Sequence, residues 1–429
     1  MRCTLAAAFV VALAAASASA EEYYVSAARG KGKTGSKDAP ARDLGILIPV
    51  LKAGDTVHLA EGVYLGRSEN GSDVIEVPVR IIGGYSDDFS KRDPWGVHKT
   101  VLAGNNTSDN FDRNSRLSVG SRKHKADGTE ILVDGIIVDN GARNGYTRED
   151  QLEIRRMFAP KSKSNAAPDS PGITVEASSN GTATVQNCVV MNCAPTHKTG
   201  ALRLTGGKNS KVTARNNLVI NNTGSGVCCT TWHQGSKEEA TEHTIENNTI
   251  LFTWKFDALS TEGGMAVQIE SGVKVIAKGN VFGFSDTIAV ANPGKCPVAL
   301  TGNLFCAYLT APYLEFSTKH KFALMEEEAQ CLTDCTGNVK EEIALSLPEA
   351  WTKAYASRVL VDRAAAEAAV EPLDNWANSM RKMLGLPQDG GKIEVGGNVW
   401  LPKLEIDGGL KAGTAKHKDN FGSSTPEIK

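Results

Sequence analysis

The residues of this chain best equipped for chemistry lie between positions 176 and 270: Arg203, Lys198, His233, Trp232, Glu176, Gln268, Glu270 and Lys208. A cation beside a base is the minimum needed to abstract a proton next to a carboxylate. The cation neutralises the carboxylate and stabilises the charge that develops, while an unprotonated lysine or histidine takes the proton. On that reading Arg203 is the carboxylate clamp and either Lys198 or His233 is the base. Trp232 offers a ring face for a sugar, and Glu176, Gln268, Glu270 and Lys208 offer hydrogen bonds to hydroxyls. The plainer alternative is a surface arginine with loop lysines and a packed tryptophan.

The run Cys228-Cys229-Thr-Thr-Trp-His233 holds thiols and an imidazole, the ligand types that zinc takes. Strand alternation sends adjacent residues to opposite faces, which parts Cys228 from Cys229, so no metal is expected there. Calcium between turns stays open. His243 falls at an inward position and reads as a core histidine. Cys3 aside, eight cysteines remain, and Cys331 with Cys335 and Cys296 with Cys306 are plausible local disulfide partners.

The elements that must position these residues announce themselves by repetition. Val185-Gln-Asn-Cys-Val-Val190 recurs as Ala214-Arg-Asn-Asn-Leu-Val219, Ile245-Glu-Asn-Asn-Thr-Ile250, Ala277-Lys-Gly-Asn-Val-Phe282 and Leu300-Thr-Gly-Asn-Leu-Phe305. Val133-Asp-Gly-Ile-Ile-Val138 is an earlier copy. The fourth positions are Cys188, Asn217, Asn248, Asn280 and Asn303, spaced by 29, 31, 32 and 23 residues. Periods of that size mean stacked units, and these are short, β-rich and asparagine-marked. A right-handed parallel β-helix follows, an all-β solenoid in which equivalent side chains from successive coils stack in columns about 4.8 Å apart. Inward asparagines then bond the coils above and below, which satisfies their buried amides.

Two more features support the register. Upstream of each marker sits a strand with apolar inward pairs: Ile173/Val175, Leu202/Leu204, Val227/Cys229, Val267/Ile269 and Ile288/Val290. The strand just before the marker carries Lys211/Arg215, then Glu242/Glu246, then Lys274/Lys278 outward. Opposite charges face each other across neighbouring strands, as a solvated structural ladder requires.

Arg2, the apolar run from Leu5 and the small residues Ala18-Ser19-Ala20 read as an export signal occupying residues 1–20. The solenoid with its cap takes 21–310, a helical insertion or cap 311–390, and a strand with a polar tail 391–429. Leu44, Leu47, Ile48 and Leu51 share one helical face, so a short helix is expected there, although Gly45 and Pro49 oppose it. Residues 140–170 read as a surface loop. No second apolar stretch is long enough to span a bilayer, and 47 basic against 49 acidic side chains point to neither nucleic acid nor an anionic membrane. Oligomeric state is not legible.

The order Tyr23-Tyr-Val-Ser, Gly54-Asp-Thr-Val-His-Leu-Ala-Glu-Gly-Val-Tyr64 and Ile81-Ile-Gly-Gly-Tyr-Ser-Asp-Asp-Phe-Ser-Lys-Arg-Asp-Pro-Trp95 resembles the first coils of bacterial pectin-lyase-like β-helix proteins. With the later repeats the resemblance spans roughly residues 23–310. It implies an exported protein directed at a polysaccharide or cell-surface glycan, with the ligand along the outer face of the upstream-strand sheet. It also admits a non-catalytic structural or adhesive solenoid, because this fold hosts many functions. The Gly-His-Gly and Arg-Ile-Lys signatures of polygalacturonases and the Arg-x-Pro-x-x-Arg run of pectate lyases are missing, so the resemblance assigns no catalytic residues.

Overall fold

The computed structural model describes residues 20–66, 71–103, 115–124, 126–141, 171–193, 195, 199–233, 239–254, 263–316, 322–324, 334–341, 352, 355, 411–412, 421–424 and 426. Among the described residues three nine-stranded sheets extend from Glu22 to Lys340, each taking one strand from nearly every coil. Within a sheet, neighbouring strands pair in parallel, as Ile173–Ala177 does with Leu202–Gly206. The chain is a parallel β-helix. Where the N-terminal helix was expected the chain forms only a three-residue 3-10 turn, Leu44–Ile46. Asp43 caps that turn through a 3.1 Å bond from the Ile46 amide, and the backbone then continues in turns to Val50. Gly45 and Pro49 deny it a longer helix. Leu44, Leu47 and Leu51 are nonetheless buried in the core that runs along the solenoid.

The asparagine markers stand in single file. Asn217 Nδ2 donates to Asn248 Oδ1 at 2.9 Å, Asn248 to Asn280 at 3.0 Å, Asn280 to Asn303 at 2.9 Å, and Asn303 to Asn338 at 3.0 Å. Each oxygen also takes the backbone amide of the marker below it. Asn338 adds a rung beyond the repeats recognised in the sequence, and Val339–Lys340 pairs with Leu304–Tyr308. The residue before each marker sits in the left-handed region: Gly135, Asn187, Asn216, Asn247, Gly279, Gly302 and Gly337, with φ between 52° and 69°. Only glycine, or asparagine with its local hydrogen bonding, holds that corner cheaply.

The three sheets differ in how they meet solvent. The first, which includes Lys211–Arg215, Thr241–Glu246 and Val273–Lys278, alternates buried and exposed residues, and Lys278 pairs with Glu246 at 2.9 Å. The second and third are buried on both faces over most of their length. On the second, Phe252 stacks on Phe284 with centroids 4.5 Å apart, and Tyr355 meets Phe284 edge-on.

Within the stretch expected to be helical, Phe322–Leu324 is a strand antiparallel to Ala311–Phe316. Thr352 and Tyr355 have helical backbone. Residues 334–341 hold the strand Val339–Lys340 rather than helix; residues 325–333, 342–351, 353–354 and 356–390, the strands expected at 391–407, nearly all of the 140–170 loop and residues 1–19 lie outside the described residues. Cys335 is disulfide-bonded, and Cys331 lies outside the described residues. Cys296 and Cys306 are not joined in a disulfide, against expectation. Cys296 Sγ donates to the Glu270 carbonyl at 3.0 Å, whereas Cys306 packs over Gly283 on the outer side of the second sheet. The two thiols face different surroundings.

His243 is fully buried between the Val212 and Val275 rungs, and its Nε2 bonds the Thr230 carbonyl at 3.1 Å. Burial, opposed by that one carbonyl, pulls its pKa from 6.5 down to about 4. A base with a depressed folded pKa contributes stability that is intact above the unfolded value and lost as pH falls toward the folded one. Acidification from pH 7 to 4 should therefore cost about 3 kcal/mol through this residue. Urea midpoints for wild type and His243→Leu across that range test it. An unchanged acid slope in the variant would rule the residue out.

Candidate functional site

The third sheet carries the candidate residues. Its outward rows follow from the register: Ser118, Thr174, Arg203, Cys228, Gln268 and Ala291 form one, and Gly120, Glu176, Thr205 and Thr230 the next. Arg203 is half-buried in the middle of its row. Beside it Thr174 shares a 2.6 Å hydrogen bond with Ser115. On its other side Cys228 points outward, as alternation requires, yet is completely covered. Gln268 and Ala291 are covered too. Arg203 Nε is shut off from solvent and has no acceptor, and no ion pair reaches the guanidinium among the described residues.

The acidic and amide groups fall to either side. Glu176 is half-buried and lies over Gly120, where an added Cβ would come 3.0 Å from its Oε2. Gln268 Nε2 donates to Glu270 Oε1 at 2.6 Å. These two sit two residues apart on one strand face and orient each other.

Lys208, Trp232 and His233 come together at the turn that follows the sheet. The partner that joins them is Glu239, which sequence reasoning missed. Its Oε1 pairs with Lys208 Nζ, and its Oε2 lies 3.5 Å from His233 Nε2. Lys208, seconded by His233, holds the Glu239 carboxyl below its ordinary range. The Trp232 ring lies against Gly207, where a Cβ would sit 2.5 Å from it, and Nε1 donates to the Ala177 carbonyl at 3.3 Å. One ring face is thereby used for packing. The missed signal was positional: Lys208 and Glu239 occupy the same turn of consecutive coils, where the Asn209 amide donates to the Glu239 carbonyl at 3.0 Å.

The structure thus brings Lys208, His233 and Trp232 into one cluster and leaves Arg203 on the strand with small neutral neighbours. Lys198 lies outside the described residues. Lys208 is paired with Glu239, whereas His233 Nε2 is buried 3.5 Å from the same carboxylate without a hydrogen bond. Among the described residues no group of three His, Cys, Asp or Glu side chains is arranged to hold a metal ion, and no helix is long and apolar enough to cross a membrane.

No family model matches the chain, and no curated protein matches it. Solved structures that resemble it include a GH136 lacto-N-biosidase from Eubacterium ramulus, at 12% identity over 75% of this chain and 68% of that one, with a TM-score of 0.34. A rhamnogalacturonan lyase is 11% identical over 77% and 90% of the two chains, at 0.29. Pectate lyase Pel9A is 10% identical over 95% of each, also at 0.29. Similarity at this level carries nothing about chemistry, which has to come from the geometry of this chain.

Proposed function

We propose that this chain is an exported β-helix protein that binds an acidic polysaccharide along the outer face of its third sheet, with Arg203 as the anion contact. The observation that carries the reading is half-buried Arg203, whose Nε has no acceptor among the described residues, in a row of otherwise uncharged side chains. A buried donor without an acceptor costs about 1–3 kcal/mol, and the planar fork of arginine matches a carboxylate or sulfate in bidentate fashion. An anion that reached the half-buried guanidinium would answer its charge. Glu176, Thr230 and the Gln268–Glu270 pair supply hydrogen-bonding groups for hydroxyls on either side.

Binding is favoured over cleavage. Proton abstraction needs a base beside the cation, and the strand neighbours of Arg203 are Thr174 and Cys228, while Lys208 is paired with Glu239.

Titration calorimetry with a uronic-acid polysaccharide and a neutral dextran tests this. Wild type should bind the acidic polymer and ignore the neutral one. Arg203→Gln should weaken binding about tenfold or more, the loss of one charge-assisted contact of roughly 1.5–3 kcal/mol, and Arg203→Lys should retain part of it. Equal binding of both polymers, or an indifferent Arg203→Gln, would overturn the proposal. Appearance of the ultraviolet absorbance of an unsaturated uronate would show cleavage instead.

A further inference from the structure

The start of the first coil contains a buried carboxylate without a counter-charge. Asp55 is 1% exposed. Its Oδ2 accepts the Lys52 backbone amide at 2.7 Å, and its Oδ1 accepts the backbone nitrogen of Glu21 at 2.9 Å. No cationic group pairs with it among the described residues. The nearest lysine, Lys52, instead points its ammonium at the Glu21 side chain, 4.0 Å away, with both side chains largely exposed. Taking a carboxylate out of water is costly unless an opposite charge answers it.

The nitrogen that Asp55 grips belongs to the residue that follows Ala18-Ser19-Ala20. The first strand, Glu22–Val25, begins one residue later and pairs with Thr56–Ala60, directly after Asp55. The Glu21 carbonyl accepts the Thr56 amide at 2.9 Å, so residue 21 is fixed on both of its backbone groups.

We propose that hydrolysis of the Ala20–Glu21 bond creates an α-ammonium on Glu21 that Asp55 receives, so that processing during export completes a buried ion pair at the mouth of the solenoid. One water is consumed, Ala20 leaves with the new carboxylate, and the Glu21 nitrogen gains two hydrogens and a positive charge. That charge converts a neutral amide bond to Asp55 into a charge-assisted one, about twice as strong. The other ionisable groups facing this nitrogen are the Glu21 side chain, which accepts from Tyr23 Oη at 2.6 Å, and Lys52. The inference rests on the export reading.

Two measurements separate the inference from that reading. Mass determination of protein recovered from an exporting host should place the new terminus at Glu21, and a terminus elsewhere overturns both. Chain 21–429 released from a cleavable fusion, with its α-amine free, is then compared with the same chain N-acetylated. The free form should melt roughly 2 °C or more higher, and its α-amine should react with an acylating reagent about tenfold more slowly at neutral pH, as a one-unit rise in its pKa requires. Asp55→Asn should abolish both differences. Equal melting and ordinary amine reactivity in a chain that does begin at Glu21 overturn the role of Asp55 while leaving export intact.

Discussion

Replacing Asn248 with alanine is expected to destabilise the protein by about 3–5 kcal/mol. Asn248 Oδ1 accepts both the backbone amide and the side-chain Nδ2 of Asn217, each at 2.9 Å. Its Nδ2 donates to the Ala214 carbonyl at 2.9 Å and to Asn280 Oδ1 at 3.0 Å. The site is fully buried, so water cannot substitute. Truncation orphans two donors of Asn217 at about 1–3 kcal/mol each and opens a small void. Asn248→Leu fills the void and leaves the donors orphaned, so it should not recover the loss. A urea midpoint unchanged within error in both variants would show that the column is decorative.

The lower end of that column shows why a cysteine can stand at a marker position. The markers run Ile136, Cys188, Asn217 from coil to coil, all fully buried. Cys188 gives its backbone amide to Asn217 Oδ1 at 2.9 Å, while its Sγ lies 3.1 Å from the Gln186 carbonyl. A thiol ends an amide ladder without leaving a strong donor unsatisfied, and the next coil down can then be apolar.

The solenoid was legible because stacking forces like residues into columns, and columns appear in a sequence as periodicity. The inward pairs Ile173/Val175, Leu202/Leu204 and Val227/Cys229 stand in the predicted register. The Lys211–Glu242–Lys274 file does as well. What the repeat cannot encode is whatever crosses it. Strands of the second and third sheets such as Leu218–Thr223 and Ile288–Asn292 are buried on both faces, so alternation there says which way a side chain points and not whether it meets water. Cys228 is outward and entirely buried for that reason. Likewise the expected cation–base pairing failed to anticipate Glu239, whose meeting with Lys208 and His233 depends on the path of a turn. The N-terminal helix was misjudged because an apolar stripe at helical spacing also suits a chain of tight turns that carries a proline.

Arg116 presents the other large expected loss, and one that should reach the candidate site. Its side chain is fully buried: Nη1 pairs with Asp73 Oδ2 at 2.6 Å, Nη2 donates to the Tyr64 carbonyl at 2.8 Å, and Nε to the Ala103 carbonyl. Removing one partner of a buried pair strands the other charge, so Arg116→Met should cost about 3–5 kcal/mol. Arg116→Lys should cost less, because an ammonium reaches Asp73 but lacks the fork that also takes the two carbonyls. The double change Arg116→Met with Asp73→Leu should regain most of the stability, since it removes both charges together. Ser115, next in sequence, holds Thr174 through their 2.6 Å bond, and Thr174 is the immediate strand neighbour of Arg203. Loosening the Arg116 anchor should therefore free Thr174 and weaken acidic-polysaccharide binding even under conditions where the variant remains folded. Full affinity in a folded Arg116→Met chain would show that the turn and the arginine on the sheet are independent.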